Sequence, residues 1–519
     1  MTSETDIRIL TTSDTHGSLL NVNYANNETT GYGMSLISTL IKENRTENSV
    51  LIDCGDTIQG SPLMYFHQLN REKYENPVST VFNHLKYDYF IPGNHDFNYG
   101  KSYLESFTNQ LNATSLCANI VDSEKLLTFD KEYAIHSFSN GIQIAVIGLT
   151  TDYIPNWERP LNIEGLQFIS PIKKLELILE EIKKVKVHAI VVVYHGGFEK
   201  DLDTFLPYVQ DTGENVGSKM LEMFPQINCL LTGHQHRSIS KKVRDTSIIQ
   251  PASNGRVLGV IDLHFMFHDN DWKISKTNEF LLPAKDVVAD SKIYELIKDV
   301  HEPCNIFLDE PIGTVPNNDL QVTNLFLARL QKHKIVTFIN EVQLEASKAM
   351  ISATSLGNDI TGFNENITIR NVLSTYVYPN TLTVLKIDGL NLRFALERNA
   401  EYFTIVDGEV TFSPKYSYPK MEHYNYDMFD GIYYTIDVTR PVSSRITSLK
   451  YGGFAVKDND VFTLVLNNYR ASGGGEFEMY QHLELVKEIQ LDISELMVEF
   501  IRTRKTLRIQ DIQNIKVEF

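Results

Sequence analysis

Residues 7–16 read Ile-Arg-Ile-Leu-Thr-Thr-Ser-Asp-Thr-His. The apolar run Ile7 to Leu10 passes directly into small hydroxylated residues and then into Asp14 and His16, the pattern of a buried strand that ends in metal-binding groups. Along extended backbone, two residues spaced two apart point to the same side, so Asp14 and His16 can face one point. The same reading recurs four times downstream. Val50 to Ile52 leads into Asp-Cys-Gly-Asp, ending at Asp56; Tyr89 to Ile91 leads into Pro-Gly-Asn-His-Asp, which carries Asn94 and His95. Ala189 to Val193 leads into Tyr-His-Gly-Gly with His195, and Cys229 to Leu231 into Thr-Gly-His-Gln-His with His234 and His236. Helical patterns lie between these runs, such as Ser170 to Lys186 with Ile172, Leu175, Leu179 and Ile182 on one face. Alternation of this kind specifies a layered α/β domain, in which the carboxyl ends of strands meet at a common rim.

The chemistry follows from the residue types. A carboxylate beside an imidazole suits a divalent transition ion. Asp56 can bridge two ions, one on each oxygen, Asn94 offers a neutral amide oxygen, and His195, His234 and His236 add three imidazoles. Each motif alone is weak; their conjunction in this order specifies a metal centre.

The 519 residues are enough for two to four domains, and 42% hydrophobic with 22% charged residues is a globular composition. A net charge of −18 disfavours a nucleic-acid polymer or an anionic membrane as partner, because such partners need clustered cations. A small anionic substrate then needs local cations, from Lys and Arg or from metal. No run approaches the roughly 18 apolar residues of a membrane span. The polar start has no signal-peptide core, so the chain as written is expected in the cytosol, or exported if a leader precedes it. Cys54, Cys117, Cys229 and Cys304 have no paired spacing and read as buried reduced thiols. Val257 to Phe267 reads as a further strand and Lys285 to Asn305 as a helix bridging two domains. Glu310 to Thr314 opens a second region that ends in a strand-like Val461 to Leu466. The expected division is 1–284, a linker helix over 285–305, and 306–519.

The ordered ligand set resembles the metallophosphoesterase superfamily over roughly residues 5 to 265. The resemblance implies a four-layer α/β/β/α domain with two divalent ions, Zn or Mn, which polarise a phosphoryl group and activate water. Asp14, His16, Asp56 and His236 would hold one ion and Asp56, Asn94, His195 and His234 the other. His95 would stand beside the leaving group. In the second half, Arg370-Asn371-Val372, Tyr378-Pro379-Asn380-Thr381, Tyr424-Asn425-Tyr426-Asp427, Phe429-Asp430-Gly431 and Asn467-Asn468-Tyr469-Arg470 resemble, in order, the C-terminal α/β domain of the 5'-nucleotidase family. Gly93 to Gly100 and Tyr-Pro-Asn-Thr-Leu are most similar to its branch of 2',3'-cyclic-nucleotide 2'-phosphodiesterase/3'-nucleotidases. The resemblance implies a nucleotide substrate whose base lies between Tyr424 and Tyr469, in a monomer or simple homo-oligomer. Such stacking is worth roughly 1 to 3 kcal/mol per base.

Two departures matter. The 5'-nucleotidases carry Asp at the position of Asn98, so a neutral amide here faces the catalytic His95 and leaves it less basic, which fits the cyclic branch. They also carry nucleotide-binding arginines in the second domain, whereas residues 353–368 contain no Arg or Lys. The alternatives are a 5'-nucleotidase or nucleotide-sugar pyrophosphatase on the same scaffold and, more remotely, a nucleotide-binding protein without catalysis. The other histidines lack partner spacing and read as surface or core, His423 beside Tyr424 being the one to watch. Gly473-Gly474-Gly475 lacks the following Lys of a phosphate-binding loop and reads as a flexible loop beside Tyr469.

Overall fold

The computed structural model describes residues 4–122, 129–207, 213–378, 380–418, 420–489 and 491–519; Pro379 of the Tyr-Pro-Asn-Thr motif lies outside them. The chain divides into two compact units, Met1–Cys304 and Asn305–Phe519.

The first unit holds two six-stranded mixed sheets. One runs, edge to edge, Asp271–Pro283, Val257–His268, Glu4–Thr12, Ser49–Asp53, Tyr89–Phe90, Thr114–Ser115. The other runs Ser238–Val243, Thr246–Pro251, Cys229–Thr232, Ala189–His195, Gln143–Thr150, Tyr133–Ser137. Strand residues alternate between two apolar faces, which explains why the runs read as continuously hydrophobic. Ile7, Ile9, Val50 and Ile52 of the first sheet share one core with Val191, Val193, Cys229 and Leu231 of the second. Val192, Tyr194 and Leu230 point the other way, against Leu175, Leu179 and Ile182 of the helix Pro171–Ile182 and Met220 of the helix Gly217–Met223. On the outer side of the first sheet, the helix Met34–Asn44 packs against the Val257–His268 strand. The order is therefore helix, sheet, sheet, helix. All four cysteines are buried and none forms a disulfide.

Strand Glu4–Thr12 is parallel to Ser49–Asp53, and Ala189–His195 is parallel to both Gln143–Thr150 and Cys229–Thr232. Tyr89–Phe90 is parallel to Ser49–Asp53 in turn, so these carboxyl ends project at the same edge of each sheet, and every expected ligand lies at or just after one of them.

The helix expected over 285–305 runs instead over Ser291–Leu308. It starts later because the Asp290 carboxylate accepts from the Lys292 amide and from Ser38 Oγ and Lys42 Nζ of helix Met34–Asn44, which fixes the preceding turn.

The second unit is built on a five-stranded sheet in the order Asp427–Asp430, Ile351–Ser355, Val461–Asn467, Leu382–Asp388, Glu484–Ile489, with a separate four-stranded sheet that includes Ile432–Asp437 and Ile515–Glu518. Arg370 and Asn371 begin a helix, Ile369–Thr375, that Thr368 opens with a capping box. Buried Lys332 donates to Asp430 (2.5 Å), Asn514 (2.7 Å) and the Ile512 carbonyl (3.2 Å), so all three ammonium hydrogens are used. Among the described residues no helix is long and apolar enough to cross a membrane.

Candidate metal centre

Strand ends deliver the side chains, and the backbone there is unusual. Asp14, His16, Asp56, His234 and His236 all have left-handed φ, between 49° and 67°. A left-handed non-glycine residue costs roughly 1–2 kcal/mol, and such residues concentrate at functional sites. Two glycines clear the floor of the site. A Cβ on Gly93 would lie 2.3 Å from Asp56 Oδ1 and 2.6 Å from His195 Cε1. One on Gly233 would lie 2.3 Å from Ser13 Oγ and 2.8 Å from Asp14 Oδ2.

The side chains meet in two groups that share Asp56. Donor atoms of Asp14, His16, Asp56 and His236 lie within 4.8 Å of one another, and so do those of Asp56, His195 and His234. Asn94 Oδ1 joins the second group, 2.8 Å from His234 Nδ1 and 3.2 Å from His195 Nε2.

The nitrogen directed at each group is decided by what its ring partner does. His16 Nδ1 donates to the Gln59 carbonyl (2.9 Å), His195 Nδ1 to the Cys54 carbonyl (2.6 Å), and His234 Nε2 to Glu214 (2.7 Å). The second nitrogen of each ring then faces another polar atom of the site. His16 Nε2 lies 3.1 Å from His236 Nε2, and His195 Nε2 lies 3.2 Å from Asp56 Oδ2. Asp56 Oδ2 is buried and has no hydrogen bond among the described residues. Polar atoms this close need a cation or a proton between them. Nitrogen, carboxylate and amide donors together suit divalent transition ions, so the residues present fit a divalent ion pair.

The electrostatics agree. Burial, reinforced by the charge of His236, lowers His16 to about 4, so its ring is neutral at pH 7. Burial alone would raise the Asp14 carboxyl, but the hydrogen bond and charge of His236, with the charge of His195, outweigh it and hold it at about 2. Asp56 is likewise held well below the carboxylate range: burial opposes this, and the charges of His195 and His95 prevail. Burial would lower His195, but Asp56 reverses the shift and raises it to about 9, so in the absence of metal His195 keeps a proton where a cation would sit.

Asp96, quoted in the sequence motif but given no role there, ties two ligand turns together. It accepts from the backbone amides of Gly93 (2.8 Å), Asp56 (2.9 Å), Thr57 (2.8 Å) and Ile58 (3.0 Å). His95 sits beside the first group, its ring centroid 5.4 Å from that of His16, and its amide donates to Asp56 Oδ1 (2.7 Å). Asn98 Oδ1 lies 2.8 Å from His95 Nδ1. Sequence reasoning missed Glu214, Trp157 and Glu158. Trp157 stacks on His234 at 5.4 Å, and Glu158 accepts from Asn98. All three lie in irregular segments without periodic pattern, so no spacing signalled them.

In the second unit, Tyr424 and Tyr469 are both half-buried and Tyr378 meets Tyr424 edge-on at 6.1 Å. Arg470 joins the two tyrosine segments. It pairs with Asp427 (2.8 Å) and donates to the Tyr424 carbonyl (3.0 Å), Asn425 Oδ1 (3.2 Å) and the Gly474 carbonyl. The glycine segment is not the loose loop expected: Gly473 and Gly475 have left-handed φ, Arg398 and Arg470 hold the carbonyls of Gly475 and Gly474, and a Cβ on Gly474 would lie 2.6 Å from the Tyr469 ring. His423 is buried core, with Nδ1 3.0 Å from Tyr402 Oη.

Residues 7–238 match the family model described as calcineurin-like phosphoesterase, and residues 311–482 that of the 5'-nucleotidase C-terminal domain. A crystal structure of a candidate 5'-nucleotidase from Staphylococcus aureus, in complex with alpha-ketoglutarate, is 35% identical, with a TM-score of 0.90 over 99% of this chain and 100% of that one. The 2',3'-cyclic-nucleotide 2'-phosphodiesterase/3'-nucleotidase of Haemophilus influenzae is 28% identical, covering 91% of this chain and 80% of its own length. The NAD nucleotidase of the same organism shares the fold, at 16% identity and a TM-score of 0.56 over 99% of both chains.

Proposed function

The chain belongs to the family that joins a calcineurin-like phosphoesterase domain to a 5'-nucleotidase C-terminal domain, metal-dependent phosphoric ester hydrolases, and from that premise we propose that it opens 2',3'-cyclic nucleotides to 3'-nucleotides and then removes the 3' phosphate. The observation that carries the hydrolytic reading is the convergence of acceptor atoms on two points that share Asp56. Asp14, His16, Asp56 and His236 would hold one divalent ion, and Asp56, Asn94, His195 and His234 the other. When bound, the ions supply the positive charge that polarises the phosphoryl oxygens and makes water nucleophilic at neutral pH.

The chain's own residues do the rest. Water's oxygen forms a bond to phosphorus and releases one proton to solvent, the bond from phosphorus to the ribose oxygen breaks, and that oxygen leaves with the electron pair and takes a proton from His95 Nε2, which regains one from solvent. Asn98 accepts from His95 Nδ1 and keeps the other ring nitrogen directed at the reaction. Tyr424 and Tyr469 stack on the base, and Arg470 fixes the two segments that carry them.

The cyclic and 3' reading is supported by the Gly93 to Gly100 motif with Asn98, and by the name of the Haemophilus influenzae relative. It also has a geometric consequence: with the base fixed, a phosphate on the 2' or 3' oxygen and one on the 5' oxygen lie at opposite ends of the ribose. A second reading, a 5'-nucleotidase, is favoured by the 35% identity to the Staphylococcus aureus protein. A panel of 2',3'-cyclic AMP, 3'-AMP and 5'-AMP, assayed with Mn²⁺ and with Zn²⁺ and followed as phosphate and nucleoside, separates them. The expected kcat/KM for the first two exceeds that for 5'-AMP by at least about tenfold. A preference for 5'-AMP selects the second reading and leaves the metal centre standing.

A further inference from the structure

At position 98 a neutral amide, not a carboxylate, faces His95 Nδ1. The structure supplies a carboxylate one step further back. Between the short helices Ile154–Asn156 and Pro160–Ile163, consecutive residues reach both parts of the site. Trp157 stacks on His234, and Glu158 turns to Asn98. Asn98 Nδ2 donates to Glu158 Oε2 at 2.5 Å, while Glu158 Oε1 accepts from the Arg159 amide (2.8 Å) and Asn162 Nδ2 (2.9 Å). Asn162 Nδ2 also donates to the Asn98 carbonyl (2.9 Å), so backbone and side chain of Asn98 are held from one side.

All three groups on the Glu158 carboxyl are pure donors, so a proton placed there would face an N–H. Burial pushes this carboxyl up, and the same three donors oppose the shift. With an acceptor behind it, the Asn98 amide has only one satisfied orientation: Nδ2 toward Glu158 and Oδ1 toward His95 Nδ1, 2.8 Å away. An amide oxygen only accepts, so His95 Nδ1 carries a hydrogen, and Nε2 is left as the atom that gives or takes a proton. We infer that Glu158 is the positioning residue of a His95, Asn98, Glu158 relay, holding the amide, and through it the imidazole, in the orientation that protonates the leaving oxygen. The inference rests on the role given to His95 above. In the step itself Nε2 loses one proton to the ribose oxygen and the Nδ1 hydrogen stays in place, so Glu158 orients and neither gains nor loses a proton.

The test uses the full-length protein loaded with Mn²⁺ and two substrates that differ in leaving group. The ribose oxygen of 3'-AMP needs a proton to leave, whereas the nitrophenolate of bis(p-nitrophenyl) phosphate does not. In Glu158→Gln, one amide hydrogen must face a donor, and Asn98 loses its fixed orientation. The expected result is a fall in kcat on 3'-AMP of about 10²- to 10⁴-fold with KM nearly unchanged, a fall of less than about threefold on the nitrophenyl ester, and an unchanged metal content. Asn98→Asp alone sets two carboxylates against each other and is expected to be impaired on 3'-AMP. Combined with Glu158→Gln, the amide stands behind the carboxylate, and activity on 3'-AMP is expected to return to within about tenfold of wild type. Equal losses on both substrates, or a double variant no better than the product of the singles, would overturn the relay. Wild-type protein inactive on both esters overturns the phosphoesterase reading and the relay with it, whereas an active wild type matched by Glu158→Gln on 3'-AMP overturns the relay alone.

Discussion

At the scale of the residue, Asp56 carries the most. It is the one carboxylate common to both groups, and its buried Oδ2 has no hydrogen bond among the described residues. Asp56→Asn removes the negative charge between the two positions. It should abolish hydrolysis and lower the bound ions from two per chain to at most one by elemental analysis; retention of two ions with full turnover would contradict the bridging role. Tyr424→Ala and Tyr469→Ala should each raise KM for nucleotides by roughly 5- to 150-fold, the equivalent of a lost stack, and affect bis(p-nitrophenyl) phosphate much less. Parallel losses on both substrates would indicate damage to the second unit instead. The metal-facing residues were legible in the sequence because each follows a buried strand at a small-residue turn. Glu158 and Glu214 were not, because they hold other side chains in place from irregular segments, where neither periodicity nor spacing constrains residue type.

At the scale of the element, two polar junctions, one partly buried at Asp290 and one buried at Lys332, do what apolar packing cannot. Asp290 joins helix Met34–Asn44 to the start of helix Ser291–Leu308. Burial would raise its carboxyl, but hydrogen bonds from Lys42 and Ser38 outweigh that and hold it below the usual value. A carboxyl whose folded pKa is depressed stabilises the fold above its unfolded pKa of about 3.9 and loses that contribution as pH falls through the folded pKa. Asp290→Asn should therefore lower Tm at pH 7 and flatten the fall of Tm between about pH 5 and pH 2. An identical acid limb in the variant would refute the assignment. The second junction is Lys332. Lys332→Ala strands Asp430 in the interior and should cost about 3–5 kcal/mol in urea unfolding, while Lys332→Met combined with Asp430→Leu should cost much less. The sequence showed the strands well, since buried runs between turns are unambiguous, but placed the start of helix Ser291–Leu308 six residues early. Periodicity runs through Lys285 to Asp290; the left-handed backbone at Asp286 and the backbone and side-chain bonds of Asp290 stop it.

At the scale of the whole molecule, each unit has its own sheets, and the candidate ligands belong to the first. Five of them sit in left-handed backbone, a strain that ion binding offsets. Calorimetry is expected to resolve two transitions, with a chelator lowering only the one that belongs to residues 1–304. A single transition that shifts as a whole would mean the units unfold together. The strand Glu4–Thr12 has a further consequence, in the order of events during synthesis. It pairs on one side with Ser49–Asp53 but on the other with Val257–His268. At roughly 5–20 residues per second, the ribosome adds the 142 residues between Asn94 and His236 in about 7 to 28 seconds. During that interval the nascent chain exposes an unpaired strand edge beside an incomplete set of ligands. A strand made before both of its partners is thus among the last to be closed in, and Asp14 and Asp56 must wait for His234 and His236 before the centre exists at all.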